Sequence, residues 1–380
     1  MKSMVKKTVK QSLITTFDAF PYLKKIVHKL DNIANPPVKA TTPTPAKKVE
    51  AVTTPAPAKK AKTPVGFIAN GFEISSEEVE LFTQKALYAG YSVEYLNAKI
   101  MTKDERACEL KRIFYKNVGY YLDLKNPKTF NQKIQWLKLN YYDNALERCV
   151  DKAEFKNYID EQLGVGYTVP NYGSYEDEND IDFDELPDKF VLKSNVQSDA
   201  RHIILVKDKK NVDMDKLKTI MSTWLLRRNN LCCSYCNAYW NVTPKIVVEE
   251  FLETKSGSID DYKFYCYGGE CKHFLVCKDR GEDTKYINYD MEFNCIKPSP
   301  NSYYEEGKYK DIGRIKEMIA IAEKLAKPFP FVRVDFYDVD GKLYVGELTF
   351  YPGGGYNSYD REWDEKFGEL LPLPEANFMV

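Results

Sequence analysis

The sequence predicts an α+β fold with two mainly antiparallel sheets, and three observations support this prediction. Apolar residues recur at helical spacing at 104–116, 129–140 and 151–163. From residue 190 onward, short runs rich in β-branched and aromatic residues dominate. The chain then closes on a long hairpin at 331–350. Helices followed by strands, rather than a strict alternation of the two, are typical of α+β domains.

The N-terminal 64 residues differ in composition from the rest of the chain. Residues 1–34 combine lysines with apolar residues at helical spacing, and residues 35–64 form a linker rich in proline, alanine and lysine. A basic amphipathic segment can lie on a membrane surface or contact a protein partner. A disordered tail is the alternative, and the sequence leaves both open.

Charge, hydropathy and cysteine content exclude several classes of protein. Residues 1–64 carry thirteen lysines and three acidic residues, a net +10, so the remainder carries −11 within a total of −1. An acidic body predicts no nucleic-acid partner. There is no run of eighteen apolar residues and no signal peptide, which predicts that nothing spans a membrane. Nine scattered cysteines favour reduced thiols and a cytoplasmic location, with the inner face of the membrane as the variant if residues 1–34 bind lipid.

The remaining elements follow in chain order. Residues 65–118 are predicted to be mostly helical, with a helix from Ser75 to Gly90 and a short strand at 92–95. A further helix is predicted at 311–326, directly before the closing hairpin. The predicted strands between these helices lie at 190–193, 202–206, 245–251, 262–267 and 273–277.

The turn of the closing hairpin sets which side chains share a face. Asp340-Gly341 predicts a three-residue loop, 339–341, closed by a glycine bulge. Paired residue numbers would then sum to about 680, so Arg333 would face Glu347. A two-residue loop would instead place Asp335 and Glu347 on opposite faces, because side chains alternate along a strand.

With the three-residue loop, an acidic site is predicted on the hairpin. Asp335, Glu347 and Thr349 would share one face beside Arg333. Two carboxylates near an arginine suit Mg²⁺ and phosphate, whereas a solvated polar face is the alternative. The glycine run at 352–355 would let backbone amides approach an oxyanion, or would form a flexible turn.

Two other strand ends carry candidate binding residues. Lys193 ends a strand and precedes the polar loop 194–202, which could close over phosphates; a solvated lysine is the alternative. Glu249 ends an apolar strand before a polar loop and could hold a base. Asp261 and Lys263 alternate with aromatic residues and so point to one face of the following strand.

Taken in order, these segments resemble the TupA-like branch of the ATP-grasp superfamily. The resemblance covers about residues 119–372 and implies two α+β lobes that hold ATP between antiparallel sheets, preceded by a helical region and a disordered basic tail. The segments that carry it are 124–138, 151–152, 190–193, 249–250, 261–264, 333–335 and 347–353.

The resemblance also implies ATP and Mg²⁺ as cofactors and a role for each of ten residues. By this similarity, phosphates are contacted by Lys193 and Lys156, adenine by Glu249 and the backbone near Leu252, ribose by Asp261, magnesium by Asp335, Glu347 and Thr349, and the transferring phosphoryl group by Arg333 and Lys263.

The activity implied is that of an ATP-dependent carboxylate–amine ligase in cell-surface polysaccharide biosynthesis. It would act through an acyl phosphate on a carboxylate-bearing saccharide or peptide. A glycosyltransferase is one alternative, because Asp338-Val339-Asp340 has the spacing of a metal-binding DxD motif. A catalytically decayed ATP-grasp binding module is another, because the loop 194–202 lacks the glycines of its relatives. Gln132 also stands where relatives usually have glutamate.

Overall fold

The computed structural model describes residues 65–69, 72–75, 102–196, 202–225, 235–255, 257, 259–279 and 284–377. The predicted tail and linker, the predicted strand at 92–95, and most of the helix predicted from Ser75 to Gly90 lie outside these ranges, as does the centre of the predicted phosphate loop, residues 197–201. Within the described ranges, no helix is both long enough and apolar enough to cross a bilayer.

The helices of the described ranges fall before, between and after the strands. They are α1 Lys103–Val118, α2 Phe130–Asn140, α3 Asn144–Val150, α4 Glu154–Leu163, α5 Met214–Trp224, α6 Ile312–Ala326 and α7 Arg361–Leu370.

Three antiparallel sheets are formed by the described strands. The first is a hairpin of β1 Val65–Ala69 and β2 Phe72–Ser75. A four-stranded sheet has the order β3 Asn171–Tyr175, β6 Ile246–Glu250, β4 Phe190–Ser194, β5 Ile203–Val206. A six-stranded sheet has the order β10 Cys295–Ile296, β9 Lys285–Asp290, β8 Glu270–Lys278, β7 Asp261–Tyr267, β11 Phe331–Val339, β12 Lys342–Thr349.

Side-chain caps fix where the first helices begin. Thr129 accepts a hydrogen bond from the Gln132 backbone N–H at 3.1 Å, and the Gln132 side chain accepts from the Thr129 N–H at 3.3 Å. The same reciprocal capping box joins Thr102 and Glu105 at α1. Both pairs satisfy backbone donors that the first turn of a helix leaves without partners. Gln132 therefore serves as the reciprocal capping side chain of α2.

Each large sheet buries one face against a helix. On the six-stranded sheet, Phe264, Val334 and Phe336 are fully buried in a core that includes Met318 of α6. On the four-stranded sheet, α5 packs against the strands. Because side chains alternate along a strand, the residues between these apolar positions emerge on the opposite face, where the polar site lies.

The predicted register of the closing hairpin is wrong in detail. Val339 pairs with Lys342, so the loop has two residues rather than three. Asp340 and Gly341 have φ of 51° and 89°, the positive values that a two-residue turn of type I′ requires. Lys342 therefore pairs with Val339, whereas a three-residue loop would have paired it with Asp338.

A bulge further along the hairpin restores the predicted common face. The register shifts between Asp335 and Phe336, so that Asp335 pairs with Glu347 while Phe336 pairs with Val345, which leaves Gly346 as the extra residue. Arg333 consequently faces Thr349, not Glu347 as predicted. Asp335 and Glu347 share a face because the bulge compensates for the shorter turn.

Glycine at the bulge is required by the neighbouring ring. A Cβ atom on Gly346 would lie 2.7 Å from Cε2 of Tyr337. Gly346→Ala is therefore expected to lower the free energy of unfolding by about 1–3 kcal/mol, measured by urea denaturation. The matched control is Gly313→Ala, since a Cβ there would meet nothing within 4 Å. Equal stability of Gly346→Ala and wild type would show that the ring moves aside without cost.

Candidate active site

A cavity of about 910 Å³ lies between the four-stranded and six-stranded sheets. Its polar lining includes Lys193 and Glu249 from the smaller sheet, and Lys263 and Asp335 from the larger one. The cavity thus brings together residues separated by more than 100 positions in the chain. It satisfies the general description of a ligand site, a concave space with a few converging polar groups.

Asp335 is the centre of an ion-pair cluster on the larger sheet. Its side chain is almost fully buried, and both of its oxygens are engaged. Arg333 donates from Nε to Oδ1 and from Nη2 to Oδ2, each at 2.6 Å, a two-point geometry that guanidinium groups favour. Lys263 Nζ lies 2.6 Å from Oδ2 of Asp335 and 2.6 Å from Oδ2 of Asp261.

Glu347 extends this cluster toward solvent. Its side chain is 30% exposed, and its Oε1 accepts from Arg333 Nη2 at 2.8 Å and from the Thr349 hydroxyl at 3.0 Å. Thr349 is not among the cavity-lining residues, so its hydroxyl orients Glu347 from the side. Of the three predicted metal ligands, Asp335 and Glu347 line the cavity.

The two carboxylates have opposite pKa shifts. Burial raises the pKa of Asp335 to about 6, against the opposing effect of Arg333 and Lys263. Desolvation acts in the same direction on Glu347, but there the charges of Arg333 and Lys263 outweigh it and lower the pKa below its ordinary range. Two adjacent carboxylates with separated pKa values are typical of functional sites rather than of solvated surfaces.

On the opposite wall, Glu249 joins two lysines. Its Oε1 lies 3.0 Å from Lys156 Nζ and its Oε2 lies 2.5 Å from Lys193 Nζ. Burial acts to raise the pKa of Glu249, but the two lysines lower it to about 2. Lys156 of α4 and Lys193 of β4 therefore keep the buried Glu249 carboxylate ionised near the end of β6.

This triad makes stability depend on acid pH. Because the pKa of Glu249 falls from 4.5 to about 2 on folding, ionised Glu249 stabilises the fold fully above pH 4.5, and this contribution is lost as the pH falls toward 2. The stability difference between wild type and Glu249→Gln is therefore expected to shrink between pH 4.5 and pH 2 in thermal melts. A constant difference across that range would contradict the shift.

Two lysines near the N-terminus of α4 have different positions in the structure, Lys152 before the helix and Lys156 in its first turn. Lys156 is buried, donates to the Val169 carbonyl and is not among the cavity-lining residues. Lys152, which received no role from sequence reasoning, lines the cavity, and its charge helps to lower the pKa of Glu347. Its signal in the sequence was the Asp151-Lys152 pair, one of the segments that carry the family resemblance.

The apolar end of the cavity lies around the loop that follows β6. Leu252 lines it together with Val191 and Leu205 of the smaller sheet. Asp261 also lines the cavity, although it is almost fully buried and held by Lys263. The residues predicted to contact adenine and ribose thus line the same cavity.

The glycine run after β12 is not part of the cavity lining. The Gly354 carbonyl accepts from Lys138 Nζ at 2.6 Å and from Gln135 Nε2 at 2.9 Å, and the Gly354 amide donates to the Tyr351 carbonyl at 2.8 Å. In the structure, these glycines allow the chain to pack closely on α2.

The donor set fits a magnesium ion that is shared with phosphates. Asp335 and Glu347 supply hard carboxylate oxygens on neighbouring strands. In the described part of the chain, no group of three or more acidic, histidine or cysteine side chains could hold a metal ion. Mg²⁺ is commonly bound through one or two carboxylates together with substrate phosphates, which is what two carboxylates in a cation-rich cavity can offer.

The family of the chain follows from comparison with known proteins. A search of curated proteins found no match. Similar solved structures include D-alanine–D-alanine ligase from Helicobacter pylori (15% identity, TM-score 0.37, covering 64% of this chain and 69% of that one). L-amino acid ligase from Bacillus licheniformis shows 14% identity and a TM-score of 0.36, covering 67% and 55%. These similarities are too distant to carry function.

A family model is more specific. The model described as TupA-like ATPgrasp matches residues 132–372, which is more than half of the chain. This match confirms the predicted ATP-grasp fold, with two antiparallel sheets enclosing the cavity. The chain therefore belongs to the TupA-like ATP-grasp family.

Proposed function

We propose that this protein is an ATP-dependent carboxylate–amine ligase that acts in cell-surface polysaccharide biosynthesis. The observation that carries the proposal is the cavity in which Asp335 and Glu347, with Arg333 and Lys263 bound to them, face Lys193 across the two sheets. Carboxylates for a metal and cations for phosphates, enclosed in one space, match the needs of phosphoryl transfer.

The cavity divides into a base-binding end and a phosphate-binding end. Adenine is held among the apolar residues near Leu252, with Glu249 accepting from its amino group and Asp261 near the ribose. The phosphates are bound between Lys152 and Lys193 on one wall and Lys263 on the other. Lys156 acts indirectly in this scheme, because it holds Glu249 in place through their 3.0 Å ion pair.

Asp335 and Glu347 would hold the magnesium ion, with Thr349 orienting Glu347. When bound, the ion neutralises charge on the phosphates and aligns them for in-line transfer. Arg333 and Lys263 then bind the phosphoryl oxygens as charge spreads over them in the transition state.

The proposed reaction has two steps. A carboxylate oxygen of the saccharide or peptide substrate attacks the γ-phosphorus, the bond to the bridging oxygen breaks, and ADP leaves. The nitrogen of an amine then attacks the carbonyl carbon of the acyl phosphate, inorganic phosphate leaves, and the nitrogen loses a proton. Each turnover therefore forms one amide, one ADP and one phosphate.

The geometry of the DxD sequence gives less support to a glycosyltransferase. Asp338 Oδ2 is bound by Arg314 Nε at 2.5 Å, and its Oδ1 accepts from the Gly341 N–H. Asp340 accepts from the Thr254 hydroxyl at 3.1 Å. These carboxylates hold the hairpin turn and are not among the cavity-lining residues.

The test is to incubate the full chain with Mg-ATP, uronic acids and hydroxylamine, and to measure ADP and hydroxamate. Hydroxylamine captures an acyl phosphate as a hydroxamate, so ligase activity requires both products in equal amounts. Asp340→Asn, which alters the DxD sequence outside the cavity, is expected to retain activity. Turnover of sugar nucleotides without ATP would contradict the ligase proposal. If the protein binds neither ATP nor a sugar nucleotide, the result would support the catalytically decayed binding module.

A second proposal concerns location. The lysines and apolar residues of 1–34 support peripheral attachment to the inner face of the membrane. Co-sedimentation with anionic vesicles is expected for the full chain and not for a chain lacking residues 1–34. Equal sedimentation of the two chains would show that residues 1–34 do not attach the protein to the membrane.

A further inference from the structure

Tyr337 lies inside the cavity on the side of the metal carboxylates. It follows Asp335 by two residues on β11, so both side chains emerge on the same face of the sheet. Its partner on β7 is Asp261. Tyr337 lines the cavity together with Lys193 of the opposite sheet.

The backbone of the bulge fixes the position of this ring. A Cβ on Gly346 would lie 2.7 Å from Cε2, 3.1 Å from Cζ and 3.3 Å from the hydroxyl oxygen of Tyr337. The outer half of the ring, including the hydroxyl, therefore lies directly over Gly346. Since Glu347 follows immediately, the hydroxyl is held beside a carboxylate proposed to bind the metal.

The hydroxyl is available to a ligand. Among the described residues, the Tyr337 hydroxyl has no hydrogen-bond partner. Lys193 of the opposite sheet lies within electrostatic range of the phenol. A protonated phenol can donate one hydrogen bond.

The sequence of the loop after Lys193 lacks one common source of phosphate donors. The loop 194–202 that follows Lys193 contains no glycine. Glycine allows a backbone amide to approach a phosphate closely, and a loop of larger residues cannot do so as easily. A donor from the opposite wall can supply the same hydrogen bond without any backbone approach.

We infer that the Tyr337 hydroxyl donates a hydrogen bond to a phosphate oxygen of the bound nucleotide, in place of a backbone amide from a glycine-rich loop. The inference rests on the proposed ATP-binding function. It adds Tyr337 to the residues proposed to bind the nucleotide. Three features of this chain support it: a tyrosine at 337, a glycine at 346, and a loop at 194–202 that contains no glycine.

Calorimetric titration with Mg-ATP tests this role. Tyr337→Phe keeps the ring over Gly346 and removes only the hydroxyl, so the dissociation constant is expected to rise about 10-fold to 100-fold. Tyr344→Phe is the matched control, because Tyr344 pairs with Tyr337 across the hairpin but does not line the cavity. The affinity of Tyr344→Phe for Mg-ATP is expected to equal that of wild type. Thermal melts establish that both variants are folded.

Direct calorimetric titration with inorganic tripolyphosphate, without ATP, separates a phosphate contact from a ribose contact. Weaker binding of tripolyphosphate to Tyr337→Phe than to wild type supports the phosphate contact, and equal binding overturns it. If wild type binds Mg-ATP and Tyr337→Phe binds equally well, the inference is wrong while the proposed function stands. If wild type binds no ATP at all, the proposed function fails and this inference with it.

Discussion

The Asp335→Asn variant is expected to lose ATP-dependent release of ADP by about 100-fold or more. The substitution keeps the size of the side chain but removes the negative charge that would bind the metal and that now holds Arg333 and Lys263. Both cations would lose the buried carboxylate that they share. A coupled assay for ADP at saturating Mg-ATP measures the effect.

Glu347→Gln separates the loss of metal binding from a loss of folding. Glu347 is 30% exposed, so this variant is expected to remain folded while losing activity to a similar degree. Asp340→Asn serves again as the control outside the cavity. Full activity of either Asp335→Asn or Glu347→Gln would show that the hairpin carboxylates do not bind the metal.

The second large effect is expected on stability. Arg333→Met should lower the free energy of unfolding by about 3–5 kcal/mol, measured by urea denaturation. Arg333 makes four hydrogen bonds, two to Asp335 and one each to Glu347 and Thr349. Without it, the buried Asp335 carboxylate would keep only Lys263 as a cationic partner in this cluster.

Two comparisons define this prediction further. Arg361→Met removes an exposed arginine that pairs with Glu365 on the surface of α7, and little change in stability is expected. The double variant Arg333→Met/Asp335→Leu should recover part of the loss, because no unpaired charge is then buried. A decrease of less than about 1 kcal/mol for Arg333→Met would mean that water enters the cluster and replaces the guanidinium.

The hairpin shows how far local rules reach. Alternation along a strand and the Asp340-Gly341 turn identified the right pair of carboxylates on a common face. The predicted route to that face was wrong, because the turn has two residues and a bulge at Gly346 supplies the missing shift. The Tyr337 ring leaves no room for a Cβ atom at this bulge, and the local sequence pattern does not reveal that contact.

Lys152 and Lys156 show a second limit of prediction from the sequence. The sequence places Lys152 and Lys156 one turn apart at the start of a helix, where both could reach a ligand. Their roles separate only when β6 brings Glu249 within 3.0 Å of Lys156, which leaves Lys152 to line the cavity. An ion pair between residues 93 positions apart cannot be read from periodicity.

The sequence by itself determined the α+β class, the family and half of the polar residues that line the cavity, because strand alternation, turn chemistry and the order of segments are local properties of the chain. The tertiary structure alone decided the register of the hairpin, which lysine lines the cavity, and the position of Tyr337 between the two walls. Each of these depends on the packing of groups that are distant in the chain, and that packing is settled only when the two sheets enclose a common space.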